Sequence, residues 1–300
     1  MNKHYYHLCS NGAETKYFII CTDDYFAAFN LIAVCAANTD VIVISFSVED
    51  SHPHILLYGT LENCSKFKLM YETLYRHYVA ATRKNRERFV FHCELYLVDN
   101  PSYLRNVAAY TIIQATKDGK PVMPYDYKWG TGSLYFRNSF FTPPWYFDDQ
   151  GNICKPIPFG NLITRARRRI LHTRLYSIPE TWMVCNDVIL PSNYIDNNLF
   201  EDIYRTHNIY RVFLASTKKK EEEMLSKMAE FRGVAFEDSE ARRICGDISK
   251  IMFGTRDPRR LDGKQRIALA QRLRRDYHIT FRQLATIVRL PETEVRAYVR

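Results

Sequence analysis

Residues 41–60 read VIVISFSVEDSHPHILLYGT. The first nine, VIVISFSVE, are rich in β-branched and aromatic residues, the composition of a strand. A short polar stretch follows, and HPHILLYGT resumes an extended apolar run. Two such runs joined by a tight polar turn predict an antiparallel hairpin. Side chains at i and i+2 of a strand share a face. His52 and His54 are therefore predicted to project side by side, close enough to share one divalent metal ion.

The flanking segments extend the pattern. HYYHLCS (4–10) reads as a strand, and residues 23–40 as an amphipathic helix with an acidic start. Residues 62–85 read as a long helix, and 88–99 contain a fourth strand. PSYLRNVAAYTIIQAT (101–116) is a helix with Pro101 suited to its first turn. The order β-α-β-β-α-β-α predicts an α+β fold, a ferredoxin-like antiparallel sheet with helices on one face. The other face would be free for a site, with the last helix bringing Tyr110 across it. Tyr110 and Gln114 lie one turn apart on that helix and share its face. Two imidazoles, an amide oxygen and a phenol are the parts needed to break a phosphodiester and keep the product covalently bound.

Residues 117–160 are rich in Pro, Gly and aromatics and read as ordered loops, while 161–214 form a mixed segment that periodicity does not place. A charged helix is predicted over 217–232. The expected organisation is a domain at 1–140, a connecting segment at 141–215 and a basic helical domain at 216–300. Its helices are predicted over 264–277, 280–290 and 291–300. The last two, with Leu284, Ala285, Val288, Leu290, Val295 and Tyr298 as packing positions, have the helix-turn-helix outline, except that Arg289 stands where the turn usually has glycine.

The 300 residues carry a net charge of +9. Residues 241–300 hold 15 Lys and Arg against 6 Asp and Glu, an excess equal to that of the whole chain. RARRRILHTR (165–174) is a second basic cluster. Clustered positive charge suits a polyanion, and Arg165, Arg167, Arg168, Arg169, Arg272, Arg274, Arg275, Arg289 and Arg296 are the expected DNA contacts. The eight cysteines are dispersed without a CxxC pair, so free thiols are expected rather than a zinc knuckle or disulfides. No apolar run approaches the length of a membrane span. The N-terminal residues lack the apolar stretch of a signal peptide, so a cytoplasmic location and no membrane partner are expected.

These residues resemble a family. The strand pair His52-x-His54, followed about sixty residues later by a helix with Tyr110 and an amide at i+4, is similar to the single-tyrosine HUH transposases. It looks closest to the REP-associated tyrosine transposases. VEDSHPHILLYG resembles their histidine strand, and YLRNVAAYTIIQATKDG with DYKWGTGSLYF resembles their tyrosine helix and the stretch after it. The resemblance covers about residues 1–140. It implies that His52, His54 and Gln114 hold Mg²⁺ or Mn²⁺, and that Tyr110 is the nucleophile. The implied activity is cleavage and transfer of single-stranded or hairpin DNA through a 5′-phosphotyrosine intermediate, by a monomer or homodimer. The chain departs from the family pattern at Ser51, at Pro53 between the histidines, and at Gln114-Ala115. Two readings stay open: a DNA strand transferase, or a catalytically inactive nucleic-acid-binding protein of the same fold.

Overall fold

The computed structural model describes residues 2–10, 17–83, 89–114, 123–137, 141–215, 238–277 and 279–299. The helix expected over 217–232 lies outside these residues. The chain forms two units, Met1–Leu225 and Ser226–Arg300.

The first unit is built on four strands: β1 (His4–Ser10), β2 (Ile42–Val48), β3 (Pro53–Gly59) and β4 (Cys93–Val98). They form one sheet in the order β2-β3-β1-β4, with every neighbouring pair antiparallel. Helix α1 (Thr22–Asn38) joins β1 to β2, α2 (Leu61–Thr82) joins β3 to β4, and α3 (Pro101–Ile113) follows β4. This is the predicted ferredoxin-like α+β plan. Local chemistry explains the boundaries. Thr60 caps α2 by accepting the Asn63 N–H at 3.2 Å, and Asn100 caps α3 by accepting the Tyr103 N–H at 2.7 Å. Pro101 fills the first position of α3, where no N–H is needed.

Adjacent residues of β2 separate the two faces of the sheet. Phe46 meets Phe29 of α1 with ring centroids 5.0 Å apart. Ser45, one residue earlier, hydrogen-bonds Thr111 of α3 at 2.7 Å. So α1 lies on one face and α3 on the opposite one. The α3 face also carries Cys9 and Ser47, each directly opposite His54, and His7, opposite Leu56. It is a polar face under a helix.

Residues 123–215 complete this unit. The outer edge of β2 is covered, as a sheet edge must be to avoid pairing with other chains. The Val48 N–H donates to the Trp129 carbonyl at 2.8 Å, the Thr131 N–H to the Phe46 carbonyl at 3.0 Å, and Val43 bridges Ile195. The glycine at 132 is required by space: a Cβ there would stand 2.4 Å from the Pro124 carbonyl oxygen. A second antiparallel sheet holds β5 (Ile157–Pro158), β6 (Met183–Cys185) and β7 (Val188–Ile189). Asn186 and Asp187 join β6 to β7 with φ of 49° and 62°, the left-handed pair that a two-residue hairpin turn requires. Helices α4 (Thr164–Leu171) and α5 (Asn197–Tyr204) complete the set used below.

Asn30, fully buried in the middle of α1, ties this region to that helix. Its Nδ2 donates to the carbonyls of Ile170 (3.2 Å) and Asp187 (2.8 Å), and its Oδ1 accepts the Ile189 N–H at 3.0 Å. Truncation would remove the side-chain partner of three backbone groups, two of them in buried bonds. Asn30→Ala is expected to cost about 3 kcal/mol, since a lost buried partner costs about 1–3 kcal/mol. Urea denaturation followed by circular dichroism checks this; a change under about 1 kcal/mol would refute the clamp.

The second unit contains α6 (Asp238–Phe253), α7 (Gly263–Tyr277), α8 (Phe281–Val288) and α9 (Glu292–Tyr298). Its core includes Ile244, Leu269, Leu273, Leu284, Val288 and Val295. Thr280 caps α8 as expected, accepting the Gln283 N–H. Arg289 adopts the left-handed conformation (φ 60°, ψ 47°) that usually favours glycine, so the turn forms with a side chain in place. Tyr298, expected to pack inward, is 59% exposed; Val299 is buried instead. The reason is phase: with Val295 facing the core, the residue one full turn on is 299.

Candidate metal and nucleophile site

The hairpin turn shapes the site. The Glu49 N–H donates to the His52 carbonyl at 3.0 Å, which closes residues 49–52 into a tight turn. His52 lies in this turn, and the strand begins at Pro53. Proline at a strand's first residue withholds no interior ladder bond, so Pro53 is compatible with the sheet. The two histidine rings nevertheless meet, with centroids 4.5 Å apart and planes at 66°. Ser51 Oγ and His52 Nδ1 are hydrogen-bonded at 2.7 Å.

The same turn brings Glu49 to the pair. One donor atom from each of Glu49, His52 and His54 lies within 4.8 Å of the others, and His54 Nε2 faces the Glu49 carboxylate at 4.0 Å. Donors bound at about 2.0–2.2 Å stand at most about 4.4 Å apart across one ion. Two imidazoles and a carboxylate thus fit a divalent cation with little adjustment. Sequence reading missed Glu49; its signal was an acid three residues before the first histidine, with a turn between.

His54 is held from its other side. Its Nδ1 is 3.1 Å from Nε2 of His7, and the two rings are stacked with centroids 5.3 Å apart. Burial first, and the neighbouring His52 second, hold the His7 imidazole down to about 3, so it is neutral. One proton lies between His7 Nε2 and His54 Nδ1. In the tautomer with it on His54 Nδ1, the Nε2 lone pair is turned toward Glu49 and His52, the arrangement by which an outer partner orients a ligating histidine. Cys9 lies directly across from His54, and burial pushes its thiol well above the usual range.

Tyr110 closes the group. Its ring stands edge-on to His54 (centroids 5.1 Å, 82°) and to His7 (6.1 Å, 85°). Helix α3 is pinned on both sides of it: Thr111 bonds Ser45, and the Tyr204 hydroxyl of α5 donates to the Arg105 carbonyl at 2.6 Å. Tyr110 is 5% exposed. His52 is more open than His54 or Tyr110, so solvent meets the cluster on its side. Gln114 follows α3 at its C-cap, where its N–H donates to the Tyr110 carbonyl. Its amide is buried, and Nε2 has no hydrogen-bond partner among the described residues. The structure thus brings His52, His54 and Tyr110 together and adds Glu49 and His7.

The arginines divide into two kinds. Arg167 is committed inward: its Nε donates to the Leu162 carbonyl at 2.8 Å, and its guanidinium also bonds the Gly160 carbonyl and lies over Phe159. Arg165, Arg168 and Arg169 are exposed on α4, with Arg169 paired to Asp187 at 2.6 Å. In the second unit Arg272, Arg275, Arg289 and Arg296 are exposed. Arg296 pairs with Glu292 at 2.6 Å, and Arg274 lies over Phe281 while donating to the Ile279 carbonyl. All eight cysteines are free. No described helix is long and apolar enough to cross a membrane. No model of a known protein family, no curated protein and no solved structure matches this chain.

Proposed function

We propose that the chain is a DNA strand transferase of the single-tyrosine HUH kind, with Tyr110 as nucleophile and Glu49, His52 and His54 as holders of Mg²⁺ or Mn²⁺. The observation that carries this reading is the edge-on contact of Tyr110 with His54, in a group that also presents a carboxylate and a second imidazole. A divalent ion there would draw charge from a non-bridging oxygen of the scissile phosphate. Tyr110 Oη forms the bond to phosphorus, the P–O3′ bond breaks, and the phenolic proton balances the 3′-hydroxyl that leaves. The 5′-phosphotyrosine conserves the phosphodiester energy, so a second 3′-hydroxyl can reverse the step without ATP. His7 orients His54, and Gln114, one residue past the nucleophile's helix, would supply an additional oxygen donor. Exposed arginines of α4 and of the second unit contact phosphates, which position a strand without reading its sequence.

The test is a labelled library of single-stranded hairpins with Mn²⁺ or Mg²⁺, resolved on denaturing gels. A covalent protein–DNA adduct is expected, lost on chelation and reduced at least about tenfold in Glu49→Gln, the loss typical when metal coordination is weakened. Salt-sensitive binding without any adduct would overturn the enzyme reading and favour a non-cutting nucleic-acid-binding protein.

A further inference from the structure

We propose that His7, Cys9 and His54 form a second metal site, for a thiophilic ion such as Zn²⁺, which competes with the Glu49 group because both draw on His54. The competition rests on the reading of the Glu49 group given above; the second site does not.

The geometry comes from strand pairing. His7 and Cys9, at i and i+2 of β1, share a face, and Cys9 lies directly across from His54. The three side chains are buried, and one donor atom from each falls within 4.8 Å of the others. His7 Nε2 and His54 Nδ1 are 3.1 Å apart. Two nitrogens bound to a tetrahedral zinc ion at about 2.0–2.1 Å stand about 3.3 Å apart. The hydrogen-bonded pair is therefore already near ligand spacing.

Donor chemistry sets the second group apart by its thiolate. Two imidazoles and a thiolate suit zinc or cobalt and discriminate against Mg²⁺ and Mn²⁺. Binding at the second site releases one proton, that of the Cys9 thiol, to solvent. The imidazole protons then rest on His7 Nδ1 and His54 Nε2. A neutral imidazole has one lone-pair nitrogen. His54 therefore serves the Glu49 group through Nε2 or the Cys9 group through Nδ1, one at a time.

Cobalt is the probe, because a thiolate ligand to Co²⁺ gives a near-ultraviolet charge-transfer band. Titrating the full chain with Co²⁺ is expected to raise that band. Cys9→Ser should abolish it, while Glu49→Gln and His52→Ala keep it. His7→Gln, a second variant in case Cys9→Ser fails to fold, should weaken cobalt binding at least about tenfold. No band in the wild type, or an undiminished band in Cys9→Ser, would overturn the site. For the competition, Mn²⁺, which binds thiolate poorly, should lower the cobalt band in the wild type through the Glu49 group and leave it unchanged in Glu49→Gln and His52→Ala. A wild-type band undisturbed by Mn²⁺ in a chain that binds Mn²⁺, read by electron paramagnetic resonance, would overturn the competition. A cobalt band in a chain that binds no Mn²⁺ would refute the Glu49 reading while supporting the second site.

Discussion

Tyr110→Phe is expected to lower covalent adduct formation at least about a thousandfold, because removal of an enzymatic nucleophile costs factors of this size or more. The substitution is clean. The ring keeps its edge-on contacts with His54 at 5.1 Å and His7 at 6.1 Å, and only the hydroxyl is removed from a side chain that is 5% exposed. Stability should move by less than about 1.5 kcal/mol, the range for volume-conserving changes. Binding of the same hairpin, carried by phosphate contacts, should keep its affinity and its salt slope. The chain has 21 tyrosines, so the result discriminates. An adduct that survives in Tyr110→Phe would assign the chemistry to another tyrosine. An adduct lost together with binding would show that the substitution had damaged the fold or the DNA surface. His52→Ala alongside separates roles: it should remove the adduct without removing the nucleophile.

The sheet was legible because its strands obey simple rules. β-branched composition and a polar turn located β2 and β3, and the pairing of β3 with β1 followed from the split βαβ order. His54 and Tyr110 meet as the strand and helix order predicts, while His52 joins them from the turn before the strand rather than through the strand period. What escaped depends on geometry that no period encodes. Glu49 reaches the histidines through a turn closed by one backbone bond. Gln114 was expected on the nucleophile's helix, and it sits one residue past the last helical position. Residues 141–215 were opaque for a different reason. Their strands are two or three residues long, too short for alternation to show, and their anchor is a polar residue, Asn30, inside an apolar helix face. In RARRRILHTR the cluster was visible, but charge counting cannot tell that Arg167 turns inward while Arg165 and Arg168 face water.

Glu72→Ala should be the most destabilising single substitution proposed, at about 3–5 kcal/mol, the cost of breaking a buried ion pair from one side. Glu72 and Lys68 are one turn apart on α2, with side chains 1% and 0% exposed and charged atoms 3.9 Å apart. The same carboxylate accepts the Cys93 N–H at the start of β4 at 2.7 Å and meets His92 Nδ1 at 3.4 Å. Its loss strips a buried cation of a counter-charge and a strand of a hydrogen bond. Replacing both charges, as in Lys68→Met with Glu72→Leu, should cost much less, because apolar substitutes for a buried pair are often close to neutral. The pair also predicts an acid limit. Burial by itself would push the Glu72 carboxyl up. The His92 hydrogen bond, then Lys68, outweigh it and hold the group below its ordinary 4.5. A carboxyl depressed in the folded state binds protons more readily when unfolded. Its stabilisation is therefore complete above about 4.5 and is lost as pH falls through the lower folded value. Urea midpoints measured at several pH values should fall more steeply below that point in the wild type than in the double variant. Parallel curves, or a Glu72→Ala midpoint within about 1 kcal/mol of wild type, would mean that α2 and β4 are joined by packing alone.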